Sequence, residues 1–264
     1  MRTSAILLAA IVLVAAGCSA SPETRVIVGA GTTLVDSQFM AEIVASYREV
    51  EPSTELSVVG LSSSEAIAFA ASGDADVIIT HNREALDQFL SEHPQSVRSD
   101  VFSSTFFVVV DPSIAISADS LDEAFDALAS LGTPFVSRDD ESGTHAAELA
   151  TWGRIGFDPA GESWYTRTGT GMGATLQVTD QRHAATLAEH GAFLASENAL
   201  SLERVADTDI PNPYDFTVVD PSSNPAAARF GAWITSPDGV AAIEVANTKL
   251  FGEQVYSTTM HVAP

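Results

Sequence analysis

Short apolar segments alternate along the chain with longer segments in which apolar residues recur every three or four positions. The first pattern is typical of buried strands, and the second is typical of amphipathic helices. Because the two patterns alternate with short joints between them, the sequence predicts an α/β fold built on a parallel sheet. The predicted strands are residues 25–28, 56–61, 76–80, 105–110, 135–136 and 216–219.

Several of the predicted helices carry start and stop signals. Ser62, followed three residues later by Glu65, fits the capping-box pattern, and Gly73 follows the end of the same helix. Gly132 stands at the end of another helix. The predicted helices are residues 35–50, 63–72, 84–90, 121–131, 143–155, a stretch that follows 169–173, 226–235 and 239–246.

The N-terminus has the pattern of an export signal. Arg2 precedes an apolar run, residues 5–16, which is too short to span a bilayer but suits a signal peptide. The run ends in Ala-Ala-Gly-Cys, which resembles a bacterial lipobox, so Cys18 is predicted to be lipidated. The alternative is an ordinary signal peptide with an incidental cysteine. We therefore expect a signal peptide at 1–17, a tether at 18–23, and a protein anchored on the outer face of the cytoplasmic membrane or in the periplasm.

Composition narrows the possible partners. The chain of 264 residues has 12 Lys and Arg against 35 Asp and Glu, a formal net charge of −23. Such a surface lacks the basic footprint that nucleic acids require, so no nucleic-acid partner is expected. Hydrophobic residues make up 45% of the chain, which supports one large domain or two lobes.

Three polar joints connect a predicted strand to a predicted helix: residues 31–33 (Gly-Thr-Thr), 62–64 (Ser-Ser-Ser) and 142–144 (Ser-Gly-Thr). The N-terminus of a helix has unpaired N–H groups and a partial positive charge, and hydroxyl groups add further donors, so such joints can bind a small oxyanion. Arg138, four residues before Ser142, would supply a formal positive charge. The alternative is that each Ser or Thr only caps its helix.

Other residue patterns in the chain give weaker indications of a binding or catalytic site. The glycines at 169–173 have neither the GxGxxG nor the P-loop spacing, and a tight turn is expected there. Ser142 near His145 would suit a nucleophile, but no GxSxG elbow surrounds it. The acidic run 139–141 would suit a cation, although such runs are usually solvated. No cofactor is expected. No metal-binding spacing links the histidines, for which a surface or packing role is expected: His81, His93, His145, His183, His190 and His261.

Several motifs occur in the order found in one known family. They are Gly-Asp-Ala-Asp-Val at 73–77, Phe-Val-Ser-Arg-Asp-Asp-Glu-Ser-Gly-Thr-His at 135–145, Trp-Tyr at 164–165, Gly-Met-Gly-Ala-Thr-Leu at 171–176 and Asn-Pro-Tyr at 212–214. On these motifs the chain resembles the tungstate-specific substrate-binding proteins of ABC transporters, which are periplasmic binding protein-like proteins of type II.

The resemblance implies two α/β lobes with a ligand cleft between them. Lobe one would comprise residues 24–106 and 217–264, and lobe two residues 107–216, with crossovers at 106–111 and 214–218. It also implies a monomeric binding protein rather than an enzyme, which closes around tungstate and delivers it to an ABC permease and its ATPase.

The resemblance also implies a set of ligand-binding residues. The family's Thr-Thr-Thr-Ser loop falls on residues 30–33, where Ala30 and Gly31 replace two hydroxyl residues. The second loop falls on 62–64, where Ser62 is expected to be the helix cap. The implied donors to the oxyanion are Thr32, Thr33, Ser63, Ser64, Arg138, Ser142, Gly143 and Thr144.

The ligand itself is not fixed by the residues. Tungstate, molybdate and sulfate are fully ionised near pH 7, so a site of N–H and O–H donors with one arginine suits all three. Phosphate retains a proton and would need a carboxylate acceptor, which Asp139, Asp140 or Glu141 could provide. A ligand-sensing surface protein and a secreted hydrolase using Ser142 and His145 are the further alternatives.

Overall fold

The computed structural model describes residues 24–205 and 208–258. The predicted signal peptide, Cys18 and the tether lie outside the described residues, as does His261. Within the described residues, no helix combines the length and the apolar character needed to cross a bilayer.

In the described part of the chain, a mixed sheet of ten strands has the order β2-β1-β3-β9-β4-β7-β5-β6, with β8 and β10 paired to β4. The prediction of a parallel sheet is correct for β1 with β2 and β3, and for β5 with β6 and β7. It is wrong at the centre, where β9 runs antiparallel to β3 and β4, and β4 runs antiparallel to β7. The strands are β1 (Thr24–Gly31), β2 (Thr54–Leu61), β3 (Val77–Thr80), β4 (Val97–Val110), β5 (Phe135–Ser137), β6 (Tyr165–Arg167), β7 (Ala185–Glu189), β8 (Glu203–Arg204), β9 (Ile210–Val218) and β10 (Ser257–Thr258).

The helices begin and end close to the predicted signals. The capping box of Ser62 and Glu65 is confirmed, and Gly73 has a φ of +82°. The predicted helix 35–50 is two helices, because Gln38 adopts a φ of +65° and separates them. Short 3-10 turns also occur at Pro159–Gly161 and Glu197–Ala199. The helices are α1 (Thr32–Asp36), α2 (Phe39–Val50), α3 (Ser63–Ala71), α4 (Arg83–Glu92), α5 (Leu121–Leu131), α6 (Gly143–Arg154), α7 (Met172–Gln181), α8 (His190–Ser196), α9 (Pro225–Ile234) and α10 (Pro237–Phe251).

The apolar core is divided between the two ends of the sheet. At one end, α2, α9 and α10 pack on one face of β1 and β3, while α3 and α4 pack on the other face. At the other end, two clusters cover the two faces of β4 and β7. The long strand β4 contributes Phe106, Val108 and Val110 to one of these clusters, and Phe107 and Val109 to the other. This division agrees with two lobes that share β4 and β9.

Candidate functional site

The three polar joints stand where β1, β2 and β5 lead into α1, α3 and α6. Two of their serines cap helices: Ser62, as predicted, and Ser142, for which capping was the alternative to anion binding. The hydroxyl of Ser62 accepts the backbone N–H of Glu65 at 3.2 Å, and the hydroxyl of Ser142 accepts that of His145 at 3.3 Å. Capping therefore occupies one oxygen at the start of α3 and one at the start of α6, and leaves the neighbouring hydroxyl and N–H groups for other partners.

Arg138 joins the first joint to the third. Its side chain is buried, at 2% exposure, in the loop between β5 and α6. One Nη donates to the hydroxyl of Thr32 at 3.3 Å, and the other donates to the hydroxyl of Thr144 at 3.2 Å. Three of the predicted binding residues are thus in direct contact, although Thr32 and Arg138 are far apart in the sequence.

The charge of Arg138 is balanced by Asp140. The carboxylate oxygen Oδ2 accepts from Nη2 of Arg138 at 2.6 Å and from Nε at 3.1 Å. The other oxygen, Oδ1, accepts the backbone N–H of Ser142 at 3.2 Å. Because both oxygens already bind groups of this chain, Asp140 holds the arginine in place at the start of α6.

The other two residues of the acidic run differ from Asp140. Asp139 and Glu141 have φ angles of +50° and +57°, which are unusual for residues other than glycine. Oδ1 of Asp139 lies 3.7 Å from Nε2 of His145. In residues 24–205 and 208–258, no group of three or more His, Cys, Asp or Glu side chains is placed to hold a metal ion.

The second joint contacts two different neighbours. The hydroxyl of Ser63 accepts the backbone N–H of His81 at 3.3 Å. The hydroxyl of Ser64 lies 3.5 Å from the carbonyl oxygen of Glu141, to which it donates. The first contact fixes the end of β3, and the second joins the second joint to the third.

Thr33 has a different environment from Thr32. Its side chain is buried, and its hydroxyl lies 3.0 Å from the hydroxyl of Tyr214 in β9. Thr32 instead accepts from Arg138. The two threonines were predicted to act together, but the structure directs one hydroxyl to the arginine and the other to a central strand.

His81 lies among these residues, although only a surface or packing role was expected for it. It follows the end of β3 and is partly buried, and its ring stacks on Tyr214 at a centroid distance of 4.9 Å. A Cβ placed on Gly143 would lie only 2.4 Å from the Cε1 atom of this ring. Burial lowers the pKa of His81 to about 4, so the free protein holds the ring neutral at pH 7.

A buried chain of polar side chains continues from His81 into the central strands. Nδ1 of His81 lies 2.8 Å from Oδ1 of Asn212, and Nδ2 of Asn212 donates to Ser104 at 3.1 Å. Ser104 donates to Oε1 of Glu189 at 2.6 Å, while Oε2 accepts the backbone N–H of Ala192 at 2.9 Å. Burial raises the pKa of Glu189. The sequence predicted neither Ser104 nor Glu189 here, since an isolated serine and glutamate carry no spacing signal.

The geometry does not support a nucleophilic serine. The hydroxyl of Ser142 accepts from the backbone of His145, not from its ring. Nδ1 of that ring accepts the backbone N–H of Glu141 at 3.2 Å. The glycine-rich stretch at 169–173 leads into α7, with Gly171 as its N-cap.

A family model described as a PBP superfamily domain matches residues 19–238. A Haloferax volcanii protein, whose name assigns it to the ABC transporter anion-binding proteins, is 39% identical over 66% of the chain. The chain spans only 55% of the length of that relative. The tungstate-binding protein TupA of Peptoclostridium acidaminophilum is 26% identical over 96% of both chains.

Among solved structures, the tungstate ABC transporter protein of Geobacter sulfurreducens is similar in fold. It is 28% identical, with a TM-score of 0.76, and the match covers 84% of this chain and 98% of that one. The match of the family model over most of the chain shows the family, and these relatives agree with it. The chain belongs to the PBP superfamily, the superfamily of periplasmic-binding-protein-like domains.

Proposed function

We propose that this protein binds a tetrahedral oxyanion, with tungstate as its ligand, outside the cytoplasm and delivers it to an ABC permease and its ATPase. The observation that carries the proposal is the position of Arg138. One buried guanidinium contacts hydroxyls of the first and third joints, at the ends of strands in both halves of the sheet. The names of the relatives from Peptoclostridium and Geobacter support tungstate as the ligand.

The chemistry of the joints suits a fully ionised dianion. The proposed donors are the hydroxyl and backbone N–H groups of the three joints together with the guanidinium. Hydrogen bonds to a charged group contribute roughly 1.5–3 kcal/mol each, so a few of them account for tight binding. The proposed ligand-binding residues are Thr32, Thr33, Ser63, Ser64, Arg138, Ser142, Gly143 and Thr144.

Binding would be accompanied by closure of the two lobes, which we place at residues 24–106 with 217–264 and at residues 107–216. The contacts from Arg138 to Thr32 and from Ser64 to Glu141 each join the two proposed lobes. Closure about the shared strands would bring the three joints around one anion. No covalent step is required, and the protein acts as a monomeric receptor, not as an enzyme.

Calorimetry with four separate ligands tests the proposal. The protein is titrated with tungstate, molybdate, sulfate and phosphate at pH 7.5. Tight binding of tungstate, alone or together with molybdate, is the expected result, since the two anions share charge and shape. A preference for phosphate or sulfate would agree with an anion-binding cleft but would overturn tungstate as the ligand. No binding of any of the four would overturn the proposed function.

Lipid anchoring at Cys18 is a separate part of the proposal and needs its own test. Expressed in a bacterial host, the wild-type chain is expected in the membrane fraction, and Cys18→Ala in the soluble exported fraction. Equal partitioning of the two proteins would favour an ordinary signal peptide.

A further inference from the structure

The imidazole of His81 lies beside the proposed binding residues, although it is not one of the predicted hydrogen-bond donors to the anion. His81 is held by Ser63 through its backbone, packs against Gly143 at the first position of α6, and stacks on Tyr214. Two of these three neighbours are proposed ligand-binding residues. The ring is also close enough to Arg138 and Asp140 for both charges to influence its pKa. His81 therefore stands beside the proposed anion site, with part of its surface exposed.

The buried polar chain determines which ring nitrogen carries the proton. When Glu189 is ionised, its carboxylate only accepts hydrogen bonds, so Ser104 then directs its hydroxyl proton toward Glu189. The oxygen of Ser104 then accepts from the amide nitrogen of Asn212. The amide oxygen of Asn212 is left facing Nδ1 of His81, which must be the protonated nitrogen. The neutral ring consequently has an unprotonated Nε2.

The charge state of His81 depends on the groups that face its ring. From the loop before α6, Arg138 disfavours the imidazolium and Asp140 favours it. From the central strands the ring is faced by Asn212, Tyr214 and Phe106, none of which is charged at pH 7. Burial is the largest influence and keeps the free ring neutral. A dianion in the cleft would add two negative charges beside the ring, and an opposite charge nearby favours the protonated form.

We propose that His81 is a further ligand-binding residue that takes up a proton at Nε2 when the dianion enters and then donates this proton in a hydrogen bond to it. The proposal rests on the proposed function, because it requires an oxyanion in the cleft. The proton comes from solvent, and Nδ1 keeps its own proton on Asn212. The bound anion thus meets both the guanidinium of Arg138 and the imidazolium, whereas the ring is neutral in the free site.

The test is calorimetric titration with sodium tungstate at pH 7.5 in HEPES and in Tris, whose ionisation enthalpies differ. A difference between the observed enthalpies measures the protons taken up per tungstate bound. The wild-type protein is expected to take up close to one proton, and its affinity should fall by up to tenfold for each unit of pH above 7.5. His81→Gln should bind about tenfold more weakly, with no proton uptake. Circular dichroism checks that this variant folds.

His93→Gln is the matched control. His93 also stacks on an aromatic ring and bonds through Nδ1, but its partners are Phe89 and the carbonyl oxygen of Phe89. Its proton uptake should equal that of the wild type. Tungstate binding without proton uptake in the wild type would overturn the role of His81 and leave the proposed function intact. Uptake that persists in His81→Gln would assign the proton to a carboxyl group and would also overturn the role of His81. Asp36 at the end of α1 is one such group, because burial raises its pKa against the opposing effect of Arg138.

Nitrogen NMR of the imidazole supplies a readout that does not depend on affinity. In the free protein, His81 is expected to be neutral with its proton on Nδ1, and tungstate should protonate Nε2. Glu189→Gln should reverse the free tautomer. The carbonyl oxygen of the glutamine would accept from Ala192, its NH₂ would donate to Ser104, and Asn212 would turn its NH₂ to His81. A proton on Nε2 of the free wild-type ring would overturn the proposal.

Discussion

Nη2 of Arg138 lies 3.3 Å from the hydroxyl oxygen of Thr32, across a sequence separation of 106 residues. The contact joins the loop after β5 to the first residue of α1. Since the same guanidinium also binds Thr144 and Asp140, its four hydrogen bonds fix its position between the start of α1 and the start of α6. An anion that enters here would meet a cation that is already oriented.

Arg138→Ala is expected to weaken tungstate binding at least tenfold in calorimetry. The change removes the charged donor and leaves the carboxylate of Asp140 without its partner, so the anion would also meet an uncompensated negative charge. Arg154→Ala is the control, because Arg154 pairs with Asp122 on the surface. Unchanged affinity in a folded Arg138→Ala protein would remove this arginine from the site.

Thr32→Val and Thr33→Val should have different effects, although each removes one hydroxyl with little change in shape. Thr32→Val is expected to reduce tungstate affinity several-fold, since its hydroxyl contacts Arg138. Thr33→Val should reduce affinity less, and should also lower the free energy of unfolding by about 1 kcal/mol, because it breaks a buried hydrogen bond with Tyr214. Calorimetry and urea unfolding distinguish them. A larger loss of affinity in Thr33→Val than in Thr32→Val would show that Thr33 contributes more to anion binding than Thr32.

Gly143→Ala is expected to hinder closure. The added Cβ would lie 2.4 Å from the ring of His81, so the ring or the start of α6 must move. Overpacking of this kind costs about 1–3 kcal/mol, which corresponds to a loss of affinity of roughly fivefold or more. The measurement is the affinity for tungstate, together with the radius of gyration by small-angle X-ray scattering.

Gly153→Ala is the control on the same helix. A Cβ at Gly153 meets no atom within 4 Å, so affinity should be unchanged. Stability should rise by roughly 0.5–1 kcal/mol, because alanine favours the helix. If both variants bind tungstate like the wild type, the contact between His81 and Gly143 does not limit closure.

Glu148 should make stability depend on pH. It is buried in α6 and accepts from the hydroxyl of Tyr165 at 2.6 Å and from the indole of Trp152 at 3.3 Å. Burial raises its pKa from 4.5 to about 7, which the two hydrogen bonds only partly offset. The folded state therefore holds a proton that the unfolded state has already lost, and stability falls as the pH rises from about 4.5 to 7.

Glu148→Gln tests this dependence. Glutamine keeps an acceptor for Tyr165 and Trp152 but cannot ionise. Relative to the variant, the wild type is expected to lose up to roughly 3 kcal/mol of stability between pH 4.5 and 8, and most of this loss should occur by pH 7. Urea unfolding at several pH values measures the difference. Parallel pH profiles for the two proteins would show that Glu148 is not the responsible group.

Local signals account for the elements that the sequence predicted well. The helix at 121–131 matches α5 because Ser120 caps its start and Gly132 adopts a φ of +61° at its end. The antiparallel centre had no such signal. The first half of β4 is rich in polar residues, and its pairing with β9 depends on contacts distant in sequence. Local apolar spacing also could not show the break at Gln38.

Some residues of the candidate site could be predicted from the sequence, and others could not. The three joints could be found because each follows a strand and opens a helix, and Arg138 belongs to a recognisable motif. His81 and Glu189 could not be predicted in this way, because no recognisable sequence spacing relates them to each other. They come together only where β3 and β4 pair with β9 and where β7 lies beside β4.

The alternation of side chains along β4 limits where the chain can tolerate insertions and deletions. Phe106, Val108 and Val110 face one core, while Phe107 and Val109 face another. A deletion of one residue earlier in the strand would exchange the two sets, and every later apolar side chain would point into the wrong cluster. Lengthening or shortening of the chain is therefore far better tolerated in the surface loops than in the strand that both lobes share.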